Sequence, residues 1–249
     1  MNEEMKRKIL YIQTTFEIEN IYLNIDKIKE IITEGKIKEK NMKKIKRKYE
    51  KWEDYLIEGT NTLKNIPNIQ NKDLLIEYEK QVTTERLSEL YDEPIIGNFD
   101  TNHLYKIHEY LFQDIYDWAG ETRTVPMMKQ TVFLEPQKIE PFVTTVLKEA
   151  ITEIKKVKDE YHLASCLSTL FYSLTFAHPF REGNGRTIRE FIRQLVKSID
   201  FGFGSYEIDY SKINQQTIAM GINCSAPMFI TPEFQKSLTK RNNKQKVLK

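Results

Sequence analysis

The stretch that most constrains how this chain can fold is Tyr161 to Phe180, its least charged passage, which leads directly into Arg181-Glu182-Gly183-Asn184-Gly185-Arg186. The passage contains His162, Ser165, Ser168, Thr169, Ser173, Thr175 and Pro179. It is therefore too polar and too short to span a bilayer, and it reads as a helix buried in a protein core. Proline forces the residue before it out of the α region, so the helix must end at His178 and project the imidazole there. The chain has only nine glycines, yet two of them flank Asn184. Glycine allows positive φ and close approach of a ligand to the backbone. A helical pattern resumes from Thr187 to Ser198. A glycine turn that opens a helix aims several N–H groups at one point, which is how proteins hold phosphate. The local reading is a nucleotide-phosphate cradle with a histidine beside it.

The remaining composition narrows the setting. At 249 residues, with 40% hydrophobic and 30% charged, the chain can bury a real core as one large domain or a domain plus an extension. A net charge of +2 gives no general case for nucleic acid or an anionic membrane. Cys166 and Cys224 cannot build a disulfide framework, and Met1–Leu10 lacks the apolar core of a secretory signal. The expectation is a soluble cytoplasmic protein.

In chain order, residues 1–54 read as a helical extension. Ile18, Ile21, Tyr22, Ile25, Ile28 and Ile32 form an apolar stripe. Lys36 to Lys51 is strongly basic but has only Tyr49 and Trp52 as nearby aromatics, so it reads as a solvated face rather than a nucleic-acid surface. Gly59-Thr60-Asn61 marks the boundary to a main domain over residues 55–235, and 236–249 reads as a tail. Helices are expected over Asp73–Tyr91, Asn102–Trp118 (capped by Asp100 or Thr101), Lys138–Lys156, Glu160–Ala177 and Asp209–Ile222. Thr122–Pro126 and Thr131–Leu134 are the strongest β-prone runs and predict a small hairpin. The fold class is mainly α.

His103 and His108 stand five apart, not at the four-residue step that pairs zinc ligands on a helix, and His162 reads as structural. His178, beside the glycine turn, can accept a proton from an attacking hydroxyl near neutral pH. Glu182 suits Mg²⁺, which favours one or two carboxylates plus phosphate oxygens. Arg186 and Arg189 lie at i and i+3 and can grip a polyphosphate together. Arg193, one step further, reads as exposed.

Taken together, His178-Pro179-Phe180, Glu182-Gly183-Asn184-Gly185-Arg186 and Arg189 resemble the signature of Fic-domain proteins, with each position filled. The resemblance extends to Tyr55-Leu56, Gly59–Asn65, Leu111-Phe112, Tyr116–Gly120 and Arg123–Val125, and covers roughly residues 55–235. It implies a helical bundle with a β-hairpin flap that transfers AMP from ATP to a Ser, Thr or Tyr hydroxyl of a target protein, or of itself, releasing pyrophosphate. On this reading His178 is the base and Glu182 holds Mg²⁺. Gly183, Asn184, Gly185 and Arg186 form the anion hole, Thr187 also lies among the nucleotide-binding residues, and Arg189 meets the γ-phosphate. Lys129, Gln130, Thr131 and Val132 form a flap that pins the acceptor by strand-like pairing. Gln215, Gln216 and Asn223 stand where the family contacts adenine.

The family often carries an inhibitory helix with the pattern Ser/Thr-x-x-x-Glu-Gly/Asn, which Thr15-Phe16-Glu17-Ile18-Glu19-Asn20 fits. The implication is that Glu19 pairs with Arg189 and removes the γ-phosphate clamp, with homo-oligomerisation a further mode of control. Removal of AMP, use of another nucleotide, and a nucleotide-binding regulatory module with a basic partner-binding or DNA-binding helix remain open at this point.

Overall fold

A computed structural model of the chain describes residues 1–34, 48–128 and 132–241. The call of a basic helix face falls largely on residues 35–47, and most of the tail on 242–249; both lie outside the described residues.

Helix α6 (Glu160–Ala177) begins where the Asp159 carboxylate accepts from the His162 N–H at 2.9 Å. His162 is therefore an exposed part of the helix start, not of the core. Leu163, Leu167, Leu170 and Leu174 are fully buried, and α6 packs against α5 (Pro136–Ile154) and α9 (Thr231–Ser237). It ends at His178, as the following proline requires, although His178 takes the left-handed conformation at φ 43° and ψ 59° instead of an extended one.

Helix α7 (Asn184–Ser198) runs back through the centre of the molecule. Its apolar face, including Ile188, Phe191, Ile192 and Leu195, meets α4 (Thr101–Phe112) and α6. Its polar face is buried too, beneath α1 (Glu3–Glu17) and α3 (Lys72–Asp92). Helix α1 buries Ile9, Ile12 and Phe16 in the same hydrophobic cluster as the rest of the molecule. Each such side chain contributes about 2 kcal/mol of transfer free energy. One face of α1 is thus part of the core, while Met1–Glu4, Lys6, Arg7 and Leu10 are exposed.

Several expectations need correction. The isoleucine stripe is not one helix: α1 stops at Glu17, Asn20 turns the chain at φ 59°, and α2 (Ile25–Glu34) begins afresh, leaving Tyr22 78% exposed. Helix α4 ends at Phe112, so Ile115 and Trp118 enter the core from the following turn. The passage 209–222 splits into a 3₁₀ turn at Tyr210–Lys212 and α8 (Gln215–Asn223). Strands also fall elsewhere. Among the described residues, β1 (Asp200–Phe201), β2 (Gly204–Ile208) and β3 (Leu238–Lys240) form an antiparallel sheet in that order, with Phe201 opposite Gly204 and Ile208 opposite Leu238. Among the described residues of the β-prone runs, Met128 and Val132 pair antiparallel as an isolated bridge. β-Propensity measures fit to a half-buried pleated surface, and these residues instead grip α6.

Candidate active site

The α6–α7 turn is held from three sides. From inside, Phe180 is fully buried and stacks face to face on His108, with centroids 3.7 Å apart. The Asn184 side chain closes the turn, accepting from the Phe180 N–H at 2.9 Å and donating to its carbonyl at 2.7 Å. From the flap side, the buried Arg123 donates to the carbonyls of His178 (2.7 Å), Val125 (2.8 Å), Ala177 (3.2 Å) and Leu134. Burial lowers this guanidinium to about 10. It ties the residue before the flap and the residue after it to the catalytic turn. Phe133 stacks on the His178 ring, with centroids 3.8 Å apart and planes 5° from parallel. The third side is α1.

Gly183 is the N-cap of α7 at φ 77°, and no side chain caps the helix. A Cβ there would lie 2.1 Å from the Phe112 ring, so glycine is required on two counts. The first N–H groups of a helix lack intrahelical partners, and an uncapped end is an anion site. The Glu182 carboxylate, 39% exposed, accepts from the Gly183 N–H at 3.0 Å and lies 3.8 Å from Arg186. Among the described residues no cluster of three acidic, His or Cys side chains could hold a metal. The part of the Glu182 carboxylate left open to solvent would offer one ligand to a Mg²⁺ completed by phosphate and water.

Arg186 and Arg189 are buried, 1% and 2% exposed. Arg186 donates to Glu79 (2.8 Å) and Thr83 (3.3 Å), and its Nε lies 3.1 Å from Glu19. Burial alone would lower its pKa, but Glu19, Glu79 and Glu182 together hold it above the ordinary value. Burial raises the Glu79 carboxyl, while Arg186 pulls the other way. Tyr116 donates to the second Glu79 oxygen at 2.5 Å. Arg189 donates to the Thr15 carbonyl (2.6 Å) and to Glu19 (2.5 Å). Glu19 thus grips both arginines. It is placed there by the left-handed Asn20, a conformation open to glycine and asparagine, which is the physical content of the last position in the Glu-Gly/Asn pattern. A Cβ on Gly185 would stand 2.5 Å from the Glu19 carboxylate.

The structure brings together His178, Glu182, Gly183, Gly185, Arg186, Arg189, Glu19 and Thr15. Three of these residues make specific structural contacts. The Thr187 hydroxyl and N–H both donate to the Gly183 carbonyl (2.9 and 3.1 Å), so the Thr187 side chain closes the first turn of α7. The Asn184 side chain is likewise turned inward, leaving its backbone N–H for an anion. Arg193 is buried against Glu190 rather than exposed. Lys129, Gln130 and Thr131 lie outside the described residues, while Val132 is 68% exposed at the end of the flap. Gln215, Gln216 and Asn223 sit on α8, whose packing partners are α6 and the turn at Pro227–Phe229. Sequence reasoning missed Glu79, His108, Arg123 and Phe133. A charged or aromatic residue in a helical or β-prone run gives no sign that its partners lie far along the chain.

Comparison with known proteins adds to this geometry. Residues 98–196 match the model of the Fic/DOC family. The chain is 34% identical over 173 residues to the protein adenylyltransferase VbhT of Bartonella schoenbuchensis, an alignment covering 68% of this chain and 35% of that protein. The chain therefore spans about a third of that relative's length. It is 32% identical over 158 residues to the probable protein adenylyltransferase y4lH of Sinorhizobium fredii, covering 62% of this chain and 78% of that one. The fold matches the crystal structure of the BepC protein of Bartonella tribocorum with bound AMPPNP at a TM-score of 0.67 and 23% identity, covering 76% of this chain and 98% of the other.

Proposed function

We propose that this chain, which belongs to the Fic/DOC family, transfers AMP from ATP to a hydroxyl of a protein and is held inactive by its own Glu19. One observation carries the reading: the carboxylate of Glu19 occupies the two buried arginines that stand beside an uncapped helix N-terminus and a histidine. Anion-binding groups that are already filled by an internal anion describe a competitive brake.

The N–H groups at the start of α7 and the guanidinium of Arg186 receive the phosphates, and Arg189 receives the terminal one once Glu19 withdraws. Glu182 would hold a Mg²⁺ together with phosphate oxygens, and the ion would supply charge neutralisation at the leaving pyrophosphate. An acceptor strand lies along the flap at Val132. His178 takes the proton from the acceptor hydroxyl, whose oxygen bonds the α-phosphorus as the bond to the β-phosphate oxygen breaks. Phe133 and Arg123 fix the plane and backbone of that histidine. Among the described residues no helix is long and apolar enough to cross a membrane.

The test is incubation with Mg²⁺ and ATP labelled on the α- or γ-phosphate. Glu19→Gly should raise α-label on protein about tenfold or more over the native chain, and His178→Ala in the same background should abolish it. Transfer of γ-label would replace AMP transfer with phosphorylation. Unchanged labelling in a folded Glu19→Gly protein would remove the brake from the reading.

A further inference from the structure

The catalytic turn depends on one peptide plane. The N–H of Gly183 belongs to the same planar unit as the carbonyl of Glu182. Among the described residues every peptide bond is trans, so the two groups point in opposite directions. Whatever fixes that carbonyl therefore fixes the direction of the N–H. Gly183 itself cannot: glycine accepts φ of either sign, and rotation of the plane about its flanking bonds would turn the N–H away from the cradle.

We propose that His108 is the positioning residue that holds this peptide and so keeps the Gly183 N–H aimed at the bound phosphate. His108 lies on α4, fully buried, and contacts no reacting group. Its Nδ1 is 2.8 Å from the Gly120 nitrogen, whose N–H can only donate. Nδ1 is therefore the acceptor, and in the neutral ring the proton sits on Nε2. Nε2 in turn is 3.0 Å from the Glu182 carbonyl and donates to it. Because Nδ1 is taken up as an acceptor, the ring carries a single proton. Its plane is set by the face-to-face stack on Phe180 and by Phe112, at centroids 3.7 and 4.8 Å. Phe112 also fills the space where a Gly183 side chain would lie. One imidazole thus joins the turn after α4, through Gly120, to the turn between α6 and α7. The Gly183 N–H, directed outward, is taken up by the Glu182 carboxylate at 3.0 Å, where a phosphate oxygen can replace it.

The inference rests on the anion-hole reading of the turn. Its test uses the full chain carrying Glu19→Gly, with inorganic pyrophosphate and ATP as probes in titration calorimetry. His108→Gln and His108→Asn separate the two contacts. Glutamine places its amide nitrogen near the position of Nε2 and keeps the bond to Glu182, while asparagine reaches only the position of Nδ1 and keeps the bond to Gly120. His108→Asn should weaken pyrophosphate binding about tenfold, the equivalent of one lost hydrogen bond. His108→Gln should stay within about threefold of the parent. A purely structural histidine would make binding follow the melting temperatures of the two variants. Folded variants that bind pyrophosphate equally well overturn the inference and leave the functional reading standing. A Glu19→Gly parent that binds neither probe overturns both. Should His108→Asn fail to fold, nitrogen NMR of the native chain decides: a proton on Nε2 supports the assignment, and a proton on Nδ1 overturns it.

Discussion

Helix α7 carries two buried arginine–glutamate pairs one turn apart, and they differ in where the acid comes from. Arg193 is paired with Glu190 of the same helix, at 2.7 and 2.8 Å. Glu190 is fully buried and also accepts from Gln194 at 2.7 Å and from Tyr11. Arg189 is paired with Glu19, which arrives from the end of α1 and keeps 19% of its side chain exposed. Both pairs neutralise charge that could not otherwise remain inside the protein. The first has no opening through which another anion could enter. The second sits beside an uncapped helix end and a solvent-facing Glu182, so a phosphate can take the place of the carboxylate. On the proposed reading, the same residue types serve as structure in one turn and as a switch in the next.

The sharpest way to break this comparison is Glu190→Ala. It strands Arg193 in the core and should cost about 3–5 kcal/mol in urea denaturation. Nucleotide should recover little of that loss, because no phosphate reaches the site. Glu19→Gly should cost less, about 1–2 kcal/mol, since Arg186 retains Glu79 and Arg189 retains the Thr15 carbonyl. Added ATP should raise its melting temperature more than that of the native chain. Equal losses and equal nucleotide responses would erase the distinction.

Tyr11 links the two pairs, because its hydroxyl bonds Glu190 from the same helix that carries Thr15 at its far end. Tyr11→Phe should cost about 1 kcal/mol and raise AMP transfer by a few-fold, well short of Glu19→Gly, as α1 loosens. A stability loss with no rise in labelling would show that α1 is held to the site by Glu19 alone. The smallest effect is expected at Asn20. Asn20→Gly should lie within about 0.5 kcal/mol of native stability and leave the brake intact, because both residues accept φ 59°.

Legibility was greatest where chemistry and chain order coincide. The α6–α7 turn could be read closely because proline, glycine and helix periodicity act over a few residues, and because its arginines and glutamate meet the ligand from one helix start. The contact between Glu19 and Arg189 is legible only through the family pattern that this stretch resembles, whose final asparagine takes the left-handed conformation. The sheet was not, since β3 pairs with β2 across some thirty residues, and β1 and β2 are too short to show alternation.

By itself, the sequence determined a mainly helical chain, a phosphate-binding turn with a histidine at its edge, and an acid upstream able to compete for its arginine. The first two follow from backbone restrictions and charge, which act locally, and the third from the resemblance to a family pattern. Only the tertiary structure decided that α7 is buried on its polar face as well, because α1 and α3 close over it. That closure makes Arg193 structural and brings Glu79 to Arg186, while the packing of α4 against α7 lets His108 hold a peptide bond 74 residues away. A side chain's local pattern says which bonds it can make, and the packing of distant helices decides which of them it does make.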